Sequence, residues 1–238
     1  MFDFSNQVVM ITGATGNLGH AVARAFQAAE AKLVLVDRSA DHLQQKFPDM
    51  VDSPNYYLAN CADLTHPDDV AAAMKGAIDH FGRIDVLVNA AGGFRAGTLL
   101  HETPLETWEF MLNLNARSVF IISQQVIPHM LAQGSGKIVN VSARAALSGG
   151  AKMSAYSVSK SAVIRLTESM AAELKEAGIN VNCILPGTID TPQNRETMPD
   201  ADHDRWIQPE ALADVILFLA SDAARAIHGA AVPVYGRS

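Results

Sequence analysis

The sequence TGATGNLG, at Thr12–Gly19, decides the fold of this 238-residue chain. It follows a short apolar run, Val8–Thr12, that is typical of a buried strand, and it opens an amphipathic segment, Asn17–Ala29, that predicts a helix. Its three glycines allow a tight turn and let backbone N–H groups approach a pyrophosphate at the helix N-terminus, where the helix dipole favours anions. Because the glycines lie between a strand and a helix, they predict a dinucleotide site rather than a turn that binds nothing.

The rest of the chain alternates short apolar runs with longer amphipathic segments. The further predicted strands are Lys32–Val36, Asn55–Ala59, Ile84–Asn89, Lys137–Ser142, Ile179–Leu185 and Ala231–Tyr235. The further predicted helices are Pro67–Phe81, Pro104–Leu112, Ala116–Ala132, Ala155–Ala177 and Pro209–Ser221. Continuous apolar strands suit a parallel sheet that is covered on both faces. We therefore predict an α/β fold, a doubly wound parallel sheet with helices on both faces, in a single domain over residues 1–238.

The composition excludes several classes of function. Apolar residues make up 49% of the chain and charged residues 18%, and the net charge of −7 disfavours binding to nucleic acid. No apolar stretch reaches the ~20 residues of a membrane span, and the first residues do not resemble a signal peptide. These features predict a cytoplasmic protein with a small-molecule substrate and no membrane partner. Neither Cys61 and Cys183 nor the histidines have the spacing of metal ligands, so we expect no metal.

Asp37 favours NAD(H) over NADP(H) as the cofactor. It ends the second strand, eighteen residues after Gly19, where a carboxylate accepts both adenosine ribose hydroxyls and repels a 2′-phosphate. The neighbouring Arg38 could reach such a phosphate, and a strand-end cap is the other interpretation of Asp37. Asp63 is a candidate acceptor for the adenine amino group, or alternatively a capping residue ahead of Pro67.

Tyr156 and Lys160 are the candidate catalytic pair. Their i, i+4 spacing in YSVSK places both side chains on one face of the long predicted helix. A free phenol has a pKa near 10, and a neighbouring ammonium is expected to lower it by stabilising the phenolate. Tyr156 then exchanges a proton with a developing alkoxide while hydride moves. The alternative is a partly exposed pair without a catalytic role.

With these residues in place, the chain resembles the short-chain dehydrogenase/reductase family over nearly its whole length. The matching features are TGATGNLG, Asp37, Asp63–Leu64, NAAG at Asn89–Gly92, the asparagine of NARSVF, YSVSK, PGTIDT and LASDAARAIHGAAVPVYG. The resemblance implies a Rossmann-type fold of about seven parallel strands and a homodimer or homotetramer. It also implies that Asn115 holds a water in a proton relay to Lys160, although Asn113 lies close by.

The motifs and the resemblance together predict a set of cofactor-binding residues, in which Lys160 binds the nicotinamide ribose. The set is Gly13, Thr15, Gly16, Asn17, Leu18, Gly19, Asp37, Asp63, Leu64, Asn89, Ala90, Ala91, Gly92, Tyr156, Lys160, Pro186, Ile189 and Thr191.

Two positions depart from the family pattern. Asn17 stands where the family has glycine, and asparagine tolerates a positive φ angle better than most residues. Ala143, thirteen residues before Tyr156, stands where the family has its catalytic serine. A shift of register would bring in Ser142 instead, and Arg144 is a further candidate to compensate.

At Ala143 the chain resembles a dihydropteridine reductase-like branch of the family. The same resemblance extends to the alanine-rich run ARAAL and to the segment Ile189–Trp206. We expect a substrate lid at about residues 188–208, with Ala143, Met153 and Trp206 near the substrate. The predicted function is NAD(P)(H)-dependent hydride transfer to a carbonyl or quinonoid imine. The alternatives are a 3-oxoacyl-thioester or hydroxy-compound reductase of the general family, and a catalytically silent dinucleotide-binding module.

Overall fold

A computed structural model describes residues 2–237 of the chain. Its strands are β1 (Val8–Thr12), β2 (Lys32–Asp37), β3 (Tyr56–Asn60), β4 (Val86–Asn89), β5 (Gly136–Val141), β6 (Ile179–Pro186) and β7 (Ala231–Val234). Its helices are α1 (Asn17–Ala28), α2 (Ala40–Lys46), α3 (Pro67–Phe81), α4 (Leu105–Leu112), α5 (Ser118–Gln133), α6 (Ser154–Leu174), α7 (Pro192–Thr197) and α8 (Pro209–Ala220). The seven strands form one parallel sheet in the order β3-β2-β1-β4-β5-β6-β7. This confirms the predicted Rossmann-type doubly wound sheet.

Both faces of the sheet are buried, which explains why the strands are continuous apolar runs. Alternate residues of β1 enter different cores, because successive side chains on a strand point to opposite faces. Val9 and Ile11 pack with α1 and α8, whereas Val8 and Met10 pack with α3, α5 and α6. The helices therefore form a layer on each side of the sheet.

The site lies where the chain reverses direction across the sheet. After β3 the chain crosses back to pair β4 with β1, which opens a crevice beyond the carboxyl ends of these two strands. Gly13 has a φ angle of +66° there, and a Cβ on it would lie 2.7 Å from the Cα of Ala91. A Cβ on Gly19 would lie 2.1 Å from the Gly13 carbonyl oxygen. Both glycines are required by the close approach of three backbone segments.

Several element bounds differ from the sequence predictions for local reasons. Helix α2 was not predicted; Ser39 caps it by accepting a hydrogen bond from the His42 N–H at 3.2 Å. Helices α4 and α5 are joined by a π-helical turn, Asn113–Arg117, rather than separated. Helix α6 ends at Leu174, and a 3₁₀ turn leads to Gly178, whose φ angle of 74° stops the helix as expected.

The predicted lid is more regular than the sequence suggests. It contains α7, which Thr191 caps by accepting a hydrogen bond from the Asn194 N–H at 3.2 Å. A parallel bridge between Ile189 and Ile207 closes its two ends. From residue 2 to residue 237, no helix is long and apolar enough to cross a membrane. The same residues contain no group of histidine, cysteine or acidic side chains that could hold a metal ion.

Candidate active site

Tyr156 and Lys160 lie on the first turns of α6, beside the end of β4. Lys160 is only 5% exposed, and its ammonium donates a hydrogen bond to the Val141 carbonyl at 2.9 Å. A Cβ on Gly92 would lie 3.1 Å from this ammonium, so a larger residue there would crowd the nitrogen by a few tenths of an ångström. The Tyr156 hydroxyl makes no hydrogen bond to any residue in the described range 2–237. Its ring is held edge-on against Phe94, with centroids 4.8 Å apart.

Burial shifts the pKa values of these two groups in the directions that disfavour charge. It raises the pKa of Tyr156 to about 12 and lowers the pKa of Lys160 to about 8. The expected lowering of the phenol pKa by Lys160 is therefore wrong in this structure. The physical reason is that both groups lose water while the ammonium is bonded to Val141. At neutral pH Tyr156 carries its proton and is ready to donate it.

Asn115, rather than Asn113, faces α6. The π-helical turn directs Asn115 inward, where it is 1% exposed, whereas Asn113 is exposed. The Asn115 side chain accepts from the Gly93 N–H at 2.9 Å and donates to the Gly93 carbonyl at 3.1 Å. It also donates to the Ser159 hydroxyl at 2.9 Å. The asparagine thus ties the segment after β4 to the catalytic helix.

Ser159 is a positioning residue that the sequence analysis missed. Its hydroxyl accepts from Asn115 and donates to the Tyr156 carbonyl at 2.8 Å. The second serine of YSVSK was the available signal, since a residue three positions after Tyr156 lies on the same side of a helix.

Ser142 does not replace the absent serine at Ala143. The Ser142 side chain is 2% exposed, and its hydroxyl donates to the Lys160 carbonyl at 2.7 Å. The alternative register is therefore wrong, because Ser142, directly after β5, bonds α6, and in extended backbone the next side chain, that of Ala143, points to the opposite side. The Arg144 guanidinium lies 5.6 Å from the centroid of the Tyr235 ring.

The glycine loop is held by Asp37. The Asp37 carboxylate accepts from the Thr15 N–H at 3.1 Å and from the Thr15 hydroxyl at 2.8 Å. Helix α1 begins beside it with Gly16 at its N-cap and no capping side chain, so its first N–H groups remain available. Asn17 is the first residue of the helix, so a tolerance of positive φ is not its role, contrary to expectation. Its side chain instead donates to Gln193 of α7 at 2.8 Å.

Some predicted cofactor residues already have structural partners. Asp63 accepts from the Thr65 N–H at 2.7 Å and lies 3.0 Å from the His66 ring, in the loop before α3. It does not cap that helix, whose N-cap residue is His66. Burial opposes ionisation of Asp63, but the hydrogen bonds outweigh it and the pKa of the carboxyl lies below its usual value. The Asn89 side chain donates to Asn140 at 2.8 Å in the interior. Leu18 and Leu64 pack against the two cores.

The other predicted positions flank the same crevice. Ala90, Ala91 and Gly92 continue from β4, and the Ala91 N–H donates to the Thr12 hydroxyl at 3.3 Å. Pro186 ends β6, ahead of Ile189 and Thr191 in the lid. Met153 and Trp206, which were expected near the substrate, have different surroundings. Met153 lines a cavity beside Phe94, whereas Trp206 packs against His203 with ring centroids 4.4 Å apart.

The residues at the crevice fit a nicotinamide dinucleotide. The uncapped helix start suits a pyrophosphate, the Asp37 carboxylate suits ribose hydroxyls, and the space at Gly92 leads to the Lys160 ammonium. A doubly wound sheet with these groups at its switch point, and a half-buried Tyr156 beside the buried Lys160, define a dinucleotide-dependent oxidoreductase.

Comparisons with known proteins agree. The family model described as short chain dehydrogenase matches residues 7–202. The chain is 35% identical over 240 residues to the (2S)-[(R)-hydroxy(phenyl)methyl]succinyl-CoA dehydrogenase subunit BbsD of Thauera aromatica, covering 97% of this chain and 96% of the relative. It is 33% identical over 239 residues to a 3-oxoacyl-[acyl-carrier-protein] reductase of Thermotoga maritima, covering 97% and 96%. A short-chain type dehydrogenase/reductase from Mycobacterium ulcerans superimposes with a TM-score of 0.92 at 27% identity, covering 99% of this chain and 90% of that one.

The chain therefore belongs to the short-chain dehydrogenase/reductase family, and it is an NAD(P)-dependent oxidoreductase. The prediction of an enzyme is confirmed.

Proposed function

We propose that the protein transfers hydride between NAD(H) and the carbon of a carbonyl or quinonoid imine, with Tyr156 as the proton donor. The observation that carries this proposal is the Tyr156 hydroxyl, which has no hydrogen-bond partner among residues 2–237 and lies one helical turn before the buried Lys160 ammonium. The bound dinucleotide supplies the hydride. Tyr156, protonated at neutral pH, gives its proton to the oxygen or nitrogen on which negative charge develops.

Lys160 and Asn115 support this proton transfer. The Lys160 ammonium uses one N–H on Val141 and keeps two donors for the nicotinamide ribose and a phenolate. Its nitrogen and the Asn115 side-chain oxygen both lie close to the Cβ position of Gly92, at 3.1 and 3.0 Å. They are therefore no more than about 6 Å apart, a gap that one bridging water spans. This supports the expected relay through Asn115.

Asp37 supports a preference for NAD(H). A 2′-phosphate at the end of β2 would meet a carboxylate that Thr15 already holds in place. Asp37→Asn keeps an oxygen that accepts from Thr15 but removes the charge, whereas Asp37→Ala also frees the loop. We expect Asp37→Asn to narrow the difference between the NADH and NADPH dissociation constants in calorimetry. A wild-type protein that binds NADPH more tightly would contradict the assignment.

Two substrate classes each have an observation in their favour. Ala143 favours a quinonoid dihydropterin, because hydride addition to a conjugated acceptor needs less polarisation than a simple ketone does. Losing one donor to an oxyanion costs about 3–4 kcal/mol. The relatives, which include a hydroxyacyl-CoA dehydrogenase and a 3-oxoacyl reductase, favour an oxoacyl or hydroxy compound. The resemblance of residues 189–206 to the dihydropteridine reductase-like branch also favours the pterin.

The decisive assay follows NADH oxidation with quinonoid dihydropterin and with an acetoacetyl thioester. Ala143→Ser is the informative variant: we expect a large gain in kcat with a ketone and little change with the pterin. Turnover of the thioester alone would eliminate the pteridine proposal. Tyr156→Phe should lose most of the activity on the accepted substrate, and an unchanged kcat would refute the role of the phenol.

We also propose that the protein forms a homodimer or homotetramer through its long helices. Phe120 and Leu131 on α5 and Val158 on α6 are large apolar residues that are at least 44% exposed. Light scattering of wild type and Phe120→Glu tests this assembly. A wild-type protein that remains monomeric at micromolar concentration would contradict it.

A further inference from the structure

An open cavity of about 470 Å³ lies next to the catalytic helix, outside the predicted dinucleotide site. Its walls come from the loop after β4, the start of α4 and the turn that precedes α6. Phe94 lines the cavity and also contacts the Tyr156 ring, so the cavity lies directly beside the phenol. The volume falls in the range of small-molecule sites, roughly 300–1,000 Å³. A substrate whose reacting carbon is at Tyr156 can therefore extend into it.

The charge of the cavity is positive in an otherwise acidic chain. Arg95 and Lys152 line it, and no acidic side chain of the described residues does. Neither cation forms an ion pair with any residue from 2 to 237. The Arg95 guanidinium stacks on the Phe110 ring, with its central carbon 3.7 Å from the ring centroid. This stacking orients the guanidinium without using its N–H donors.

The backbone of Lys152 has an unusual conformation. Lys152 has a φ angle of +62°, which is rare for a residue with a side chain, and its carbonyl accepts from the Gly97 N–H at 2.9 Å. Gly97 follows Arg95 by two residues and itself has a φ angle of +117°. The hydrogen bond therefore fastens the segment that carries Lys152 to the loop that carries Arg95. The backbone segments that carry both cations therefore border the same cavity.

We propose that Arg95 and Lys152 form a carboxylate-binding subsite, and that the substrate is a compact oxo or hydroxy acid. Its carboxylate lies between the two cations while its carbonyl carbon lies at Tyr156. A guanidinium pairs with a carboxylate through two parallel hydrogen bonds, and a lysine ammonium adds a further charge-assisted one. This inference rests on the proposed function, and it selects the acid class over the quinonoid pterin, which carries no carboxylate.

Binding of a keto acid and its ester tests the subsite separately from the chemistry. The probes are 4-oxocyclohexanecarboxylate and its methyl ester, titrated calorimetrically into protein saturated with NAD⁺, in which no hydride is available. Wild type should bind the acid roughly tenfold more tightly than the ester. Arg95→Gln/Lys152→Gln should reduce this preference to about twofold or less. Lys175→Gln/Arg225→Gln, which removes the same charge from exposed positions outside the cavity, should keep it.

Each outcome decides the proposal. It is overturned if wild type binds neither probe, binds both equally, or keeps its preference after loss of Arg95 and Lys152. Tyr156→Phe separates the two levels of inference, because it should bind the acid as wild type does and lose NADH-dependent reduction of it. Preferential binding of the acid without any reduction by wild type would support the subsite and count against the proposed reaction with this class.

Discussion

Replacing Lys160 by methionine should change how the stability of the protein depends on pH. In the folded protein burial lowers the pKa of Lys160 from 10.5 to about 8, whereas the unfolded chain keeps the ordinary value. Between these two pH values the unfolded chain binds a proton that the folded chain lacks. Stability therefore rises with pH across this window, and the cost of burying the ammonium is fully present below pH 8.

The size of the effect follows from the shift. Each pH unit inside the window adds about 1.4 kcal/mol to the free energy of unfolding. Between pH 7 and pH 10, wild type should gain about 2.5 kcal/mol relative to Lys160→Met, in which position 160 does not titrate. Loss of the hydrogen bond to Val141 changes the free energy of unfolding of the variant by the same amount at each of these pH values. The difference between the two proteins in how this free energy changes with pH therefore reports the buried charge alone.

Urea unfolding followed by far-UV circular dichroism measures this difference. Both proteins are unfolded without dinucleotide, at one protein concentration and at several pH values from 7 to 10. Lys175→Met is the matched control, because Lys175 is exposed just beyond the end of α6. It should follow wild type at every pH. If the free-energy difference between wild type and Lys160→Met stays constant over this range, the ammonium is not desolvated and the reasoning is refuted.

Four variants in the glycine loop, the crevice and the lid helix give further predictions. Gly19→Ala should destabilise the protein by roughly 1–3 kcal/mol in urea unfolding, because its Cβ would lie 2.1 Å from a backbone oxygen; wild-type stability would contradict the packing. Gly92→Ala should lower kcat by up to about tenfold in steady-state assays with little change in the unfolding midpoint, because its Cβ would crowd the Lys160 ammonium at 3.1 Å. An unchanged kcat would contradict this. Asn17→Gly and Gln193→Ala should each speed NADH release in stopped-flow fluorescence, because each removes the hydrogen bond between Asn17 and Gln193 of the lid helix. Release at the wild-type rate would show that this bond does not restrain the lid.

The architecture could be predicted from the sequence because apolar runs and helix-end residues mark its strands and longer helices locally. Parallel strands buried on both faces must be apolar throughout, so Val8–Thr12 and Ile179–Leu185 were recognisable without their partners. Helix α3 was predicted with its bounds, since Pro67 suits a first turn and Gly82 a left-handed end. Short helices such as α7 were missed, because their few residues carry little periodicity and depend on capping contacts.

Some features of the candidate site could likewise be predicted from the sequence, and others only from the structure. Spacing alone placed Tyr156 and Lys160 on one face of a helix and put the glycines between a strand and a helix, because these relations span only a few residues. Folding decided that Ser142 bonds α6, that Asn115 bonds Ser159, and that burial moves both catalytic pKa values away from charge. Hydrogen-bond partners and desolvation depend on residues distant in the chain that only the assembled layers bring together, so no local pattern contains them.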